Sequence, residues 1–127
     1  MQIKIKDLIL FSNLYETLKN RTTSIKTAYK LNKLAEATEK EQGFIQSQQT
    51  SIINRFGQKD DNGNFKYLEN GDIQIQPERI QDCKKAMQEL MDFEIDMPDI
   101  NFTFEELEPL NLSINDLKPL MKFICEN

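Results

Sequence analysis

Residues 24–63 read SIKTAYKLNKLAEATEKEQGFIQSQQTSIINRFGQKDDNG. One long helical pattern runs straight into an Asp/Asn/Gly turn. Thr22, Thr23 and Ser24 are N-cap residues, so the helix is predicted to start after them and to reach about Phe56. Ala28, Leu31, Ala35, Thr38, Gln42, Ile45, Gln49, Ile52 and Phe56 recur three and four apart, a heptad-like seam with a polar middle. At 1.5 Å per residue such a helix is roughly 48 Å long. Gly43 inside it predicts either a break or a close packing contact. Gly57 is placed to cap the helix, and residues 58–64 read as a loop.

Working outward, residues 1–6 alternate, with Ile3 and Ile5 on one side, and suit a short edge strand. Asp7 is the predicted N-cap of a first helix ending near Asn20, with Leu8, Phe11, Leu14, Tyr15 and Leu18 on one stripe. Residues 65–68 and 72–75 flank Glu69-Asn70-Gly71 and predict a β-hairpin over about 64–76. Pro77 opens a third helix to about Asp92, with Ile80, Cys83, Met87, Leu90 and Met91 facing inward. Residues 93–97 alternate apolar and acidic side chains and suit a strand pairing with 1–6. In the acidic C-terminal segment 93–127, Thr103 with Glu106 and Ser113 with Asp116 are capping-box pairs. Pro119 sits too deep for the first turn of the second of these helices, which either kinks there or begins at Lys118. No internal repeat is read. The predicted fold is mostly α (α+β) in a single domain 1–127. A long antiparallel helical hairpin over about 7–57 carries the third helix and a small β element at one end.

The chain has 127 residues, no His and no Trp, 39% hydrophobic and 29% charged residues, and a net charge of −5. Residues 1–60 carry +4 and the remainder −9, so two different surfaces face partners. Without His, acid–base chemistry would fall to carboxylates, Lys, Cys or Tyr. No carboxylate pair is singled out by its spacing, and the four glycines are not clustered as in a phosphate loop. No catalytic residue, cofactor or metal is therefore assigned. Cys83 and Cys125 read as small buried residues on apolar helix faces. The Asp60-Asp61-Asn62-Gly63-Asn64 run fails as an EF-hand calcium loop, because Phe65 and Gly71 fall where Gly and Glu are needed. No apolar run is long enough to span a membrane, and residues 1–13 lack the small-residue cleavage site of a signal peptide.

Lys26, Lys30 and Lys33 share a helix face with Tyr29 as the one nearby aromatic. That suits a solvated face, or a docking patch for an acidic partner, better than nucleic acid, which wants interleaved stacking groups. The acids Glu94, Asp96, Asp99, Glu105 and Glu106 alternate with Phe93, Ile95, Met97, Phe102 and Phe104, as in an amphipathic strand. Tyr29, Phe44 and Tyr67 are the candidate aromatic anchors. These basic, acidic and aromatic residues form the candidate partner-binding set, with a homodimer through the heptad seam as an alternative.

SIKTAYKLNKLAEATEK, IINRFGQKDDNG and NGDIQIQPERIQDCKKAMQELMDFEIDM together resemble a family of small uncharacterised proteins of tailed phages and prophages of low-GC Gram-positive bacteria. The likeness rests on the helix start at 25–30, the aromatic-Gly-x-Lys-Asp turn at 56–60 and the helix ending at 90–96. It covers about residues 1–97 and departs at the helix centre, where Gln and Gly43 stand. The resemblance implies phage origin and expression in the host cytoplasm, with no activity to transfer. The expected function is a non-enzymatic accessory protein that binds a host or phage protein, such as an anti-phage defence protein. Virion morphogenesis, a tail-associated role and nucleic-acid binding are the alternatives.

Overall fold

The computed structural model describes residues 1–125; the last two positions of the acidic segment lie outside the described residues. The chain is mostly α, 63% helical, with a small two-stranded antiparallel sheet. Its elements are β1 (Gln2–Lys4), α1 (Ile5–Leu18), α2 (Ile25–Phe56), α3 (Ile80–Asp92), β2 (Glu94–Asp96), α4 (Phe104–Leu107) and α5 (Ile114–Leu117). Three 3-10 segments join them, at Pro77–Arg79, Glu108–Leu110 and Lys118–Phe123. Two compact units divide the chain, one formed by 1–42 with the chain from 94 onward, the other by 43–93. α2 contributes its residues up to Gln42 to the first unit and those from Gly43 to the second.

In the first unit β1 and β2 pair antiparallel, with Ile3 opposite Ile95 and Lys4 opposite Glu94. The alternation that predicted both strands puts Ile3 and Ile95 inside. α1 starts at Ile5, two residues before the predicted cap. Lys4 holds the N-cap position without a side-chain hydrogen bond, and Asp7 lies in the first turn, where its charge suits the helix dipole. Leu8, Phe11, Leu14 and Leu18 are buried. The tail's 3-10 segment lies against this helix, with the Phe11 and Phe123 rings edge-to-face at 5.9 Å. Both predicted capping boxes are formed, by Thr103 with Glu106 and by Ser113 with Asp116. Pro119 ends α5 after one turn, and the chain continues as a 3-10 segment from Lys118. Cys125 therefore lies beyond the helical segments, where its amide donates to the Phe102 carbonyl at 2.8 Å. Among the described residues neither cysteine forms a disulfide.

α2 begins as predicted. The Ser24 hydroxyl accepts from the Thr27 amide at 3.2 Å. Its inward face carries Thr27, Leu31, Leu34, Thr38, Ile45, Ile52 and Phe56; Ala28 of the predicted seam is exposed. Gly43 neither breaks the helix nor admits a close neighbour, since a Cβ there would meet nothing within 4 Å.

The second unit joins α2 to α3 through a closed ring of three short extended pieces. The Lys66 amide donates to the Gln58 carbonyl (2.9 Å), Gln74 to Lys66 (2.8 Å), and Gln58 to Gln74 (2.8 Å). Antiparallel bridges Gly57–Ile75, Lys59–Phe65 and Tyr67–Ile73 accompany these bonds. The predicted hairpin is one side of this ring, and the predicted loop 58–64 supplies part of another. The two corners repeat after eight residues, Asn62-Gly63 and Asn70-Gly71. Gly63 and Gly71 take positive φ of 83° and 92°, a conformation Gly adopts without a Cβ clash. This is a repeat the sequence reading does not recognise. Asp60 stabilises the first corner: its Oδ1 accepts from the amides of Asn62 (2.9 Å) and Asn64 (3.0 Å). Gly57 does not end α2 in a left-handed conformation. It is needed because a Cβ would stand 2.8 Å from the Phe65 ring and 2.9 Å from the Ile53 carbonyl oxygen. Pro77 begins a 3-10 turn that leads into α3, whose Cys83 and Leu90 are buried. Ile80, predicted to face inward, is 41% exposed, because the helix proper starts only there.

Candidate partner-binding surface

The capping box at Thr103 sets the first feature. It turns the Glu106 carboxylate back, so that Oε1 accepts from the Thr103 amide (3.1 Å) and from Lys30 Nζ (2.9 Å). Oε2 is buried without a hydrogen bond of its own and meets the same ammonium as an ion pair at 2.9 Å. Lys30 also donates to the Asn101 carbonyl at 2.7 Å. Thr27 donates its hydroxyl to the Glu106 carbonyl at 3.2 Å, and Arg21 reaches the Leu110 carbonyl at 2.7 Å. The Lys30 hydrogen bond is the main reason the Glu106 carboxyl is held below its ordinary pKa. Burial opposes the shift, and the Thr103 amide reinforces it. Lys30 and Glu106, both in the predicted contact set, are thus each other's partners. They fasten α4 to α2.

The other predicted residues fall into separate groups. Lys26 is exposed and Tyr29 is 63% exposed, with Lys33 Nζ 5.7 Å from the Tyr29 ring centre. The Lys26/Lys30/Lys33 stripe is therefore split, its middle cation turned inward. Asp96 and Asp99 lie 3.6 and 2.9 Å from the Met1 amino nitrogen, while Glu94 is exposed across from Lys4. Tyr67 is 63% exposed on the three-piece ring.

Phe44 finds a partner that the sequence reading places elsewhere. Its ring packs against Phe93 with centres 6.1 Å apart, and both remain outside, 43% and 54% exposed. The alternating pattern groups Phe93 with Ile95 and Met97 on one side of a strand. It instead sits just past the last residue of α3, before β2 begins, with φ −65° and ψ 133°, while Ile95 and Met97 are buried. Phe102 and Phe104 divide in the same way. Phe102 is fully buried and Phe104 is 55% exposed. The capping-box register carries that signal: Phe102 and Leu107, the residue before the cap and the fourth helical residue, hold the two positions of a hydrophobic staple and are both buried, while the first helical residue, Phe104, is exposed.

An open groove of about 520 Å³ runs between α4 and α5, with Phe104, Leu107, Leu112 and Leu117 as its apolar lining and Glu105, Glu108 and Asn111 as its polar one. Among the described residues no group of three or more Cys, Asp or Glu side chains is placed to hold a metal ion. No helix among them is long and apolar enough to cross a membrane. No protein family, curated protein or solved structure matches the chain.

Proposed function

We propose that this chain is a non-enzymatic phage accessory protein that acts in the host cytoplasm by binding another protein, with occlusion of a host or anti-phage defence protein as its effect. The exposed Phe44–Phe93 pair carries the reading. Two rings held against each other in water form a ready-made anchor of the kind that dominates protein interfaces, since little side-chain freedom remains to be lost on binding. The resemblance of residues 1–97 to phage proteins supplies the setting. A nucleic-acid role is the weaker alternative, because Lys30 is committed to Glu106 and Asn101.

The test is capture during phage infection of a Gram-positive host, with tagged wild-type chain and a Phe44→Ser/Phe93→Ser variant of matched stability. The reading expects one host or defence protein at near-equal stoichiometry, lost from the variant. Each ring should be worth about 2 kcal/mol, or roughly 30-fold in affinity. Recovery of virion proteins alone, or of the same partner equally by both chains, would overturn it.

A further inference from the structure

The groove between α4 and α5 presents a second, independent surface with its own chemistry. Its apolar lining comes from Phe104, 55% exposed, and from Leu107, Leu112 and Leu117. The charged side chains that line the groove are both acidic. Glu105 and Glu108 line it, both exposed, three residues apart and so on one side of the turn. Among the described residues neither makes an ion pair. The nearest cation along the chain, Lys118, follows the last lining residue.

We infer that this groove receives a cationic amphipathic helix of a partner protein. Its apolar stripe lies on Phe104, Leu112 and Leu117, and its Lys or Arg residues face Glu105 and Glu108. The volume falls within the range of about 300–1,000 Å³ typical of ligand clefts, and the open form suits a side of a helix rather than an enclosed small molecule. Charge complementarity selects the occupant. An acidic or neutral helix would bury the same apolar area without relieving the repulsion between the two carboxylates, whereas a basic one neutralises them. The inference deepens the protein-binding reading by naming the chemistry of a partner, but it rests on residues other than Phe44 and Phe93.

The test is a titration of the isotope-labelled full chain, followed by amide NMR, with a capped synthetic peptide carrying Leu on one helical face and Arg on the other. A second peptide has Glu in place of Arg. The expected result is saturable shifts at Phe104, Leu107, Leu112 and Leu117 with the Arg peptide, falling with added salt, and no saturation with the Glu peptide. Because Glu105 and Glu108 are exposed, a Glu105→Lys/Glu108→Lys chain should keep its spectrum and bind the Arg peptide about 10-fold or more weakly. Equal binding of both peptides, unchanged affinity after charge reversal, or shifts centred on Phe44 and Phe93 would each overturn the inference. Shifts of the groove amides that grow with protein concentration alone would assign the groove to a second copy and overturn it too. The Phe44→Ser/Phe93→Ser chain keeps the two readings apart. Peptide binding that survives in it supports the groove whatever capture shows, and successful capture with an unresponsive groove defeats this inference alone.

Discussion

Lys30 and Glu106 form an internal fastening, and a double-mutant cycle measures it. Glu106→Gln keeps a side chain that can still close the capping box but removes the charge. Lys30→Met keeps the aliphatic stem and removes the ammonium. The side chains are 24% and 15% exposed, and their contacts at 2.9 Å are charge-assisted. Screening is therefore well below that of a surface pair but not absent. Lys30→Met leaves the buried Glu106 Oε2 without its counter-charge and should cost about 2 kcal/mol. Glu106→Gln should cost less, because Lys30 keeps its bond to the Asn101 carbonyl. The coupling between the two changes should be about 1.5 kcal/mol, above the roughly 0.2–1 kcal/mol of exposed pairs. Equilibrium urea unfolding of the four chains at pH 7 reads it directly. A coupling below about 0.5 kcal/mol would refute the fastening and return Lys30 to the exposed basic stripe. The pH dependence supplies a second check. The folded carboxyl lies below its ordinary value of 4.5, so its stabilisation is complete above that pH and is lost as the pH falls through the lowered folded value. The stability gap between wild type and Glu106→Gln should therefore be widest above pH 4.5 and narrow below it.

Gly57→Ala should destabilise by about 1–3 kcal/mol, since the new methyl overlaps both the Phe65 ring and the rigid Ile53 carbonyl; thermal unfolding showing no loss would mean the ring yields freely. Gly43→Ala should do the reverse and stabilise by about 0.5–1 kcal/mol, because the site is helical and open. A drop in the melting temperature would show that Gly43 is used in a conformation other than a straight helix. Phe11→Ala should cost about 3–5 kcal/mol in urea unfolding, because Phe11 is fully buried and edge-to-face with Phe123; a cost under about 1 kcal/mol would mean the tail does not hold that face closed.

Local signals were legible and distant pairings were not. Leu31, Ile45, Ile52 and Phe56 follow from three-and-four spacing, and β1 and β2 from alternation. Thr27 does not, because its burial depends on a carbonyl 79 positions away, and Leu34 lies on an inward arc wider than a two-position seam. Lys30 and Glu106 each read as surface charges, since nothing in the sequence announces that two residues 76 positions apart meet. Phe44 is visible as an aromatic off the seam. Phe93 depends on where α3 stops and on a ring 49 residues earlier in the chain. The turns at Gly63 and Gly71 are legible one at a time. That they are corners of one ring required the third side, Gln58 to Gln74, which no hairpin rule predicts.

That ring has a kinetic consequence. An ordinary hairpin frays from its open end, and its amides exchange with solvent in order of distance from the turn. Here the three amides of Gln58, Lys66 and Gln74 each donate to the next, so none lies at an end, and exposing one slackens the piece that holds another. They should exchange at nearly one rate, as a single small foldon. A protease nick at the exposed corner near Asp61 would still leave the cut piece tied on both sides by residues that are already closed.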